Sequence, residues 1–240
     1  MTNTQSTEQK LESSLNPQSL MILLIASALG LLAASLILPA WLPGLTGSLT
    51  GAEPKAYWYL SRATAFVSFC LLWASMMLGV GITNKMSRLW PGSPAAFALH
   101  EYFSLLGLGF ASFHALILLG DHYTHFSLLQ LLLPFGTDNF KPLWVGLGQL
   151  GFYSWAIVLV SFYVRKQIGQ KPWRILHYIS FLTYLGALVH GLYSGTDTGL
   201  TWVQGFYWLT GASFLFLLIA RIVNSISLWI DKLLAKPATR

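Results

Sequence analysis

Four of the six histidines lie within long apolar stretches, His100 and His114 in one and His177 and His190 in another. An ionisable side chain is costly in hydrocarbon, so each of these positions is a functional candidate by default. His100 and His114 stand 14 positions apart, about 21 Å along a helix; His177 and His190 stand 13 apart, about 19.5 Å. If both stretches cross a membrane in the same direction, His100 meets His177 at one level and His114 meets His190 at the other. A neutral imidazole from each of two helices can fill the two axial positions of a haem iron, and two such levels would stack two b-type haems across a membrane. The helical phase fits one stretch better than the other. Fourteen residues fall about 40° short of whole turns, so His100 and His114 share a face, whereas thirteen fall about 140° short and turn His177 and His190 apart. Either the helix is rewound near Gly186 or the two haems are rotated relative to one another. The plainer reading has all four histidines bonding helix to helix as packing residues. Zinc or copper transport would need ligands converging at one depth with carboxylate or thiolate help, and levels about 20 Å apart cannot form one such site.

The elements that must carry these histidines follow from where charge is missing. Of 240 residues, 55% are hydrophobic and 9% charged, with a mean hydropathy of +0.59, against about a quarter charged in soluble domains. A soluble globule is excluded, and 15 Phe, 10 Tyr and 10 Trp exclude a disordered chain. No Asp, Glu, Lys or Arg falls between Glu12 and Glu53, Arg62 and Lys85, Glu101 and Asp121, Lys141 and Arg165, Arg174 and Asp197, or Asp197 and Arg221. A bilayer core takes roughly 20 apolar residues to cross. Six spans are therefore expected, near Leu20–Leu42, Tyr57–Gly81, Phe97–Gly120, Leu143–Val164, Ile175–Ser194 and Trp202–Val223. They should be helices, because lipid leaves backbone groups no partner outside their own segment or a closed barrel. The expected class is all-α, a six-helix transmembrane bundle over 20–224, with a polar tail over 1–19 and an amphipathic tail over 225–240.

Basic residues orient the bundle. With the N-terminus inside, eleven lie on the inner side (Lys10, Lys85, Arg88, Arg165, Lys166, Lys171, Arg174, Arg221, Lys232, Lys236, Arg240) against Lys55, Arg62 and Lys141 outside. That imbalance places both termini in the cytoplasm and explains the net charge of +6 without a nucleic-acid partner. The first apolar stretch lacks a basic segment ahead of it and is too long for a signal peptide, so it reads as a retained span. Trp41, Trp58, Trp90, Trp144, Trp173 and Trp202 stand at span ends as interfacial anchors. The C-terminal run from Arg221 is amphipathic and is expected along the inner surface.

The remaining chemistry is sparse. A single cysteine, Cys70, rules out a disulfide framework, a covalent haem motif and a thiolate cluster. Gly107-Leu108-Gly109 reads as a close-packing or cofactor-clearance site. Phe110, Phe181 and Tyr184 lie between the histidine levels, as core packing or between cofactors. Anionic haem propionates call for cations: Arg62 is the candidate at the outer level and Arg174, three residues before His177, at the inner. Glu101, beside His100, reads as a solvated span-end carboxylate, the alternative being a proton acceptor for a quinol or flavin. Asp121-His122-Tyr123-Thr124-His125 reads as a mobile interfacial loop, with a ferric-iron or docking site as the sharper option. The run from Phe126 to Phe135 is too short to span and should cover the outer site.

Over roughly Ala56 to Asp197, these segments resemble the ferric reductase-like transmembrane domain, shared by ferric reductases, NADPH oxidases and the MsrQ-like membrane subunit of the periplasmic methionine sulfoxide reductase system. The resemblance is carried by Leu60-Ser61-Arg62-Ala63, by His100 with His114, and by WRILHYISFLTYLGALVHG from Trp173 to Gly191. It implies that His100 and His177 ligate an inner b haem and His114 and His190 an outer one. The oxidases carry a further histidine one turn after the outer ligand, where this chain has Leu118, which weighs against direct oxygen reduction. The oxidases and eukaryotic reductases continue into flavin and nicotinamide domains, so the expected donor here is a separate cytoplasmic flavoprotein reductase or a quinol, with a flavin or quinone bound on the cytoplasmic side. The expected activity is a transmembrane electron-transfer oxidoreductase in a bacterial inner membrane, delivering electrons to ferric iron or a periplasmic redox protein. The rivals are a haem-free transporter or structural protein and an oxygen-reducing, NADPH oxidase-like module.

Overall fold

The computed structural model describes residues 17–41, 44, 47–48, 55–84, 92–138 and 140–234. The polar tail before Pro17, the basic residues Lys85 and Arg88, Trp90, and the C-terminal Lys236 and Arg240 lie outside the described residues.

Every regular element among the described residues is helical: α1 (Pro17–Trp41), α2 (Ala56–Thr83), α3 (Ser93–Ile117), α4 (Leu128–Leu132), α5 (Pro142–Tyr163), α6 (Arg165–Ile168), α7 (Gln170–Ser194) and α8 (Thr201–Leu234). A 3₁₀ turn, Leu118–Gly120, prolongs α3. Among the described residues five helices, namely α2, α3 with its 3₁₀ extension, α5, α7 and α8, are long and apolar enough to cross a membrane. By length and composition the chain is an integral, multi-pass membrane protein surrounded by lipid. The expected first span is helical, but its described apolar run, Gln18–Gly30, is shorter than a crossing.

Sequence punctuation accounts for the helix starts. Pro94 and Pro142 sit in the first turns of α3 and α5, where a missing N–H costs no helical bond. Gly169, at φ +88°, separates α6 from α7, a conformation glycine adopts without strain. The longest helix is α8. It does not stop near Val223 but continues through the amphipathic segment to Leu234, 34 residues in all and about 51 Å long.

α2 lies along α3, α5 along α7, and α8 closes against α2. Their shared core contains Phe69, Leu72, Met76, Trp155, Tyr184, Tyr207 and Phe214. Trp73 Nε1 donates to Ser213 Oγ at 3.0 Å, tying α2 to α8.

Candidate functional site

The histidines meet as the spacing predicts. The ring centres of His100 and His177 are 6.1 Å apart and those of His114 and His190 are 6.3 Å apart, with interplanar angles of 70° in both pairs. α7 is α-helical throughout, so no rewinding near Gly186 is needed to bring both of its histidines to their partners.

Edge-to-face aromatic rings of any kind can stand at such distances, so the nitrogens decide what the pairs can do. No hydrogen bond joins the two rings of either pair. His100 Nδ1 instead donates to the Ser75 carbonyl at 2.8 Å, His114 Nδ1 to the Ser61 carbonyl at 2.9 Å, and His190 Nδ1 to the Trp144 carbonyl at 2.8 Å. A carbonyl only accepts, so these bonds place the proton on Nδ1 and leave the Nε2 lone pair free, as a metal-ligating imidazole requires. His177 Nδ1 is buried without a partner.

Small residues let the rings reach those carbonyls. Ser75 is followed one turn later by Gly79, and a Cβ there would lie 3.1 Å from His100 Cε1; Trp144 is followed by Gly148, and a Cβ there would lie 2.5 Å from His190 Nδ1. Ala65 stands in the same relation to Ser61. The Gly107-Leu108-Gly109 pair divides: a Cβ on Gly107 would meet Trp155 Cη2 at 2.7 Å, while Gly109 faces open space.

Each pair lines a cavity. The outer one, about 420 Å³, is bordered by His114, His190, Arg62, Gly148 and Ser194; the inner one, about 70 Å³, by His100, His177, Glu101, Phe162 and Tyr163. Leu72, Trp155 and Thr183 border both. Phe110, Phe181 and Tyr184 border neither, and Phe181 and Tyr184 pack on Phe214 instead.

These residues can be tested against a haem. A metal–imidazole bond of about 2.0 Å puts each ring centre about 3.1 Å from the metal, so two rings on opposite sides stand about 6.2 Å apart, the spacing of both pairs. The outer cavity falls within the roughly 300–1,000 Å³ of ordinary ligand sites, and the buried Ser194 Oγ on its wall has no protein partner. The outer level thus fits in donors and volume. The inner level fits in donors but not in volume, since its cavity of about 70 Å³, lined in part by Phe97, Leu105, Leu159 and Phe162, lies well below that range.

The charged candidates separate. Arg62 borders the outer cavity and is held by Asp197, which follows α7: its Nε donates to one carboxylate oxygen at 2.8 Å and its terminal nitrogen to the other. Arg174 is exposed and borders neither cavity. Glu101 is not the solvated span-end carboxylate expected: it is 7% exposed and accepts a hydrogen bond from Tyr163 Oη at 3.0 Å. Charge counting could not reveal that burial, because the partner stands 62 residues away.

The loop from Asp121 to His125 forms a hydrogen-bonded turn. Asp121 is buried and its carboxylate accepts from the Thr124 amide and hydroxyl at 2.9 and 2.7 Å. His122 and His125 stack 6.4 Å apart, but Asp121 is engaged elsewhere, and no three His, Cys, Asp or Glu side chains among the described residues could hold one metal ion. Beyond the turn, Ser127 and Gln130 form a capping box for α4, and Phe126, Leu131, Leu132 and Phe140 border the outer cavity. Gln149 pins this segment, donating to the carbonyls of Gln130 at 2.7 Å and Leu131 at 2.8 Å.

Comparison with protein-family models, with curated proteins and with solved structures yields no match.

Proposed function

We propose that the chain is a dihaem b-type membrane oxidoreductase resembling the ferric reductase-like transmembrane domain, carrying electrons from a cytoplasmic-side donor to an extracytoplasmic acceptor. The observation that carries this reading is the pair of facing imidazole sets, spaced for a metal between them, with the Nδ1 protons of three rings turned away to carbonyls. His100 and His177 would hold an inner haem, and His114 and His190 an outer one. A haem held by these imidazoles would supply one-electron chemistry.

The chain's own residues hold and insulate. The Ser61, Ser75 and Trp144 carbonyls orient three ligands. Arg62, on the wall of the outer cavity, is the cation for a propionate; Arg174, exposed at the start of α7, has the weaker claim at the inner level. α4 and its flanks keep water from the outer pair. In this reading a sixth span brings both termini to the cytoplasmic face of a bacterial inner membrane, the donor is a separate flavoprotein reductase or a quinol, and the acceptor is ferric iron or a periplasmic redox protein.

The test is haem content and the dithionite-reduced spectrum of detergent-purified protein. Two six-coordinate, low-spin b haems per chain are expected. His114→Ala or His190→Ala should remove the outer haem and leave the inner. Unchanged haem content per chain in both variants overturns the assignment, and no haem after expression with ample supply returns the histidines to helix packing.

A further inference from the structure

Three serines of α2, Ser61, Ser68 and Ser75, recur every seven residues, and all three are buried, at 2%, 6% and 3% exposure. Each meets the residue of antiparallel α3 that lies directly across from it. Ser61 Oγ donates to the His114 carbonyl at 3.2 Å, Ser68 Oγ to the Gly107 carbonyl at 2.9 Å, and Ser75 Oγ to the His100 carbonyl at 3.3 Å. Small hydroxyl residues in this role let membrane helices approach closely and bond across the seam. At the two ends of the ladder the bonding is reciprocal. The Nδ1 of His114 lies 2.9 Å from both Ser61 oxygens, and that of His100 lies 2.8 Å from the Ser75 carbonyl and 3.0 Å from its hydroxyl. The middle rung faces a glycine and holds no imidazole.

We propose that Ser61 and Ser75 are positioning residues that clasp the α3 imidazoles, fixing each on the Nδ1–H tautomer and presenting Nε2 to the cavity, while Ser68 serves the helix seam alone. The Ser61 hydroxyl hydrogen goes to the His114 carbonyl, and that of Ser75 to the His100 carbonyl or to Ser104 Oγ, 2.7 Å away and itself a donor to that carbonyl, so each hydroxyl oxygen can accept from Nδ1–H beside the main-chain carbonyl. Two acceptors on one N–H raise the electron density of the ring, as partners behind metal-ligating histidines do. The clasp is one-sided: on α7, His190 has a carbonyl alone and His177 has no partner.

This inference extends the haem reading, but its test does not depend on haem. Nitrogen-15 histidine NMR of the full-length protein in lipid reads the tautomer directly, with His100→Ala and His114→Ala assigning the signals. Both rings should be Nδ1-protonated. Ser61→Ala should move the Nδ1–H signal of His114 alone to higher field, Ser75→Ala that of His100 alone, and Ser68→Ala neither. Where haem is bound, the same variants should raise the midpoint potential of the outer and of the inner component respectively, since each ligand loses an acceptor behind it. Nε2-protonated rings, or equal effects from all three serine variants, would show the ladder to be packing only and overturn the clasp. Absence of haem in the wild-type protein would defeat the proposed function while leaving the tautomer result to decide this inference.

Discussion

Gly148→Ala probes the outer site most sharply, because it adds one methyl group at the point where His190 passes over α5. The new Cβ would stand 2.5 Å from His190 Nδ1, about 1 Å inside the usual carbon–nitrogen contact, so the ring or the α5 backbone must shift. The ring cannot retreat freely, since Nδ1 is bonded to the Trp144 carbonyl at 2.8 Å. A shift of about 1 Å carries that bond beyond the roughly 3.2 Å limit of a good N–H···O contact. Losing it costs about 1 kcal/mol, and the overpacking adds about 1–3 kcal/mol. At about 1.4 kcal/mol per factor of ten, outer-haem affinity should fall at least about tenfold, in line with the roughly 10–100-fold losses seen when a partner behind a metal ligand is removed. Haem titration of the purified protein, read by the reduced-minus-oxidised spectrum, measures this. Gly109→Ala is the control: Gly109 faces open space, so the substitution should leave haem binding unchanged and add up to about 1 kcal/mol of helix propensity. If the two variants bind haem alike, the close approach of His190 to α5 is not what shapes the site.

Substoichiometric haem should fill the outer pair first, because that cavity is about 420 Å³ against about 70 Å³ for the inner; loss of the single bound haem in His100→Ala rather than in His114→Ala would reverse the order. Gln149→Leu removes donors to the carbonyls of Gln130 and Leu131 and the acceptor for the Phe135 amide, at about 1–3 kcal/mol for the groups left unpaired. Limited proteolysis between Phe126 and Asp138 should accelerate, and an unchanged digestion rate would show that Gln149 does not hold the segment. Asp197→Asn should cost no more than about 1 kcal/mol, as for other solvent-accessible ion pairs, since the two side chains are 32% and 18% exposed. It should also spare outer-haem binding that Arg62→Ala weakens; an Asp197→Asn variant that binds haem worse than Arg62→Ala would assign the site to the ion pair rather than to the cation.

The histidine pairs were legible because an imidazole inside an apolar stretch is rare enough to be conspicuous, and because the 14 and 13 spacings convert directly into depth. Their supports were not, since three of the four rings lean on main-chain carbonyls, and a carbonyl has no residue identity. What could have been read is the serine spacing: Ser61 and Ser75 are 14 apart, the same interval as His100 and His114, and antiparallel neighbours with equal intervals meet at both ends. Gly79 and Gly148 are part of the same pattern, each one turn beyond a carbonyl that must stay uncovered. Counting charges located the cores of five spans but did not show that the last helix runs on unbroken to Leu234. Arg221 ends the charge-free window, yet a long cationic side chain can reach the interface from within a helix, and no glycine or proline interrupts the chain from there until Pro237. The burial of Glu101 was hidden for a related reason. A carboxylate beside a histidine at a span end looks solvated until the fold brings Tyr163 to it, so charge in such a chain locates helix ends but does not by itself say which charges meet water.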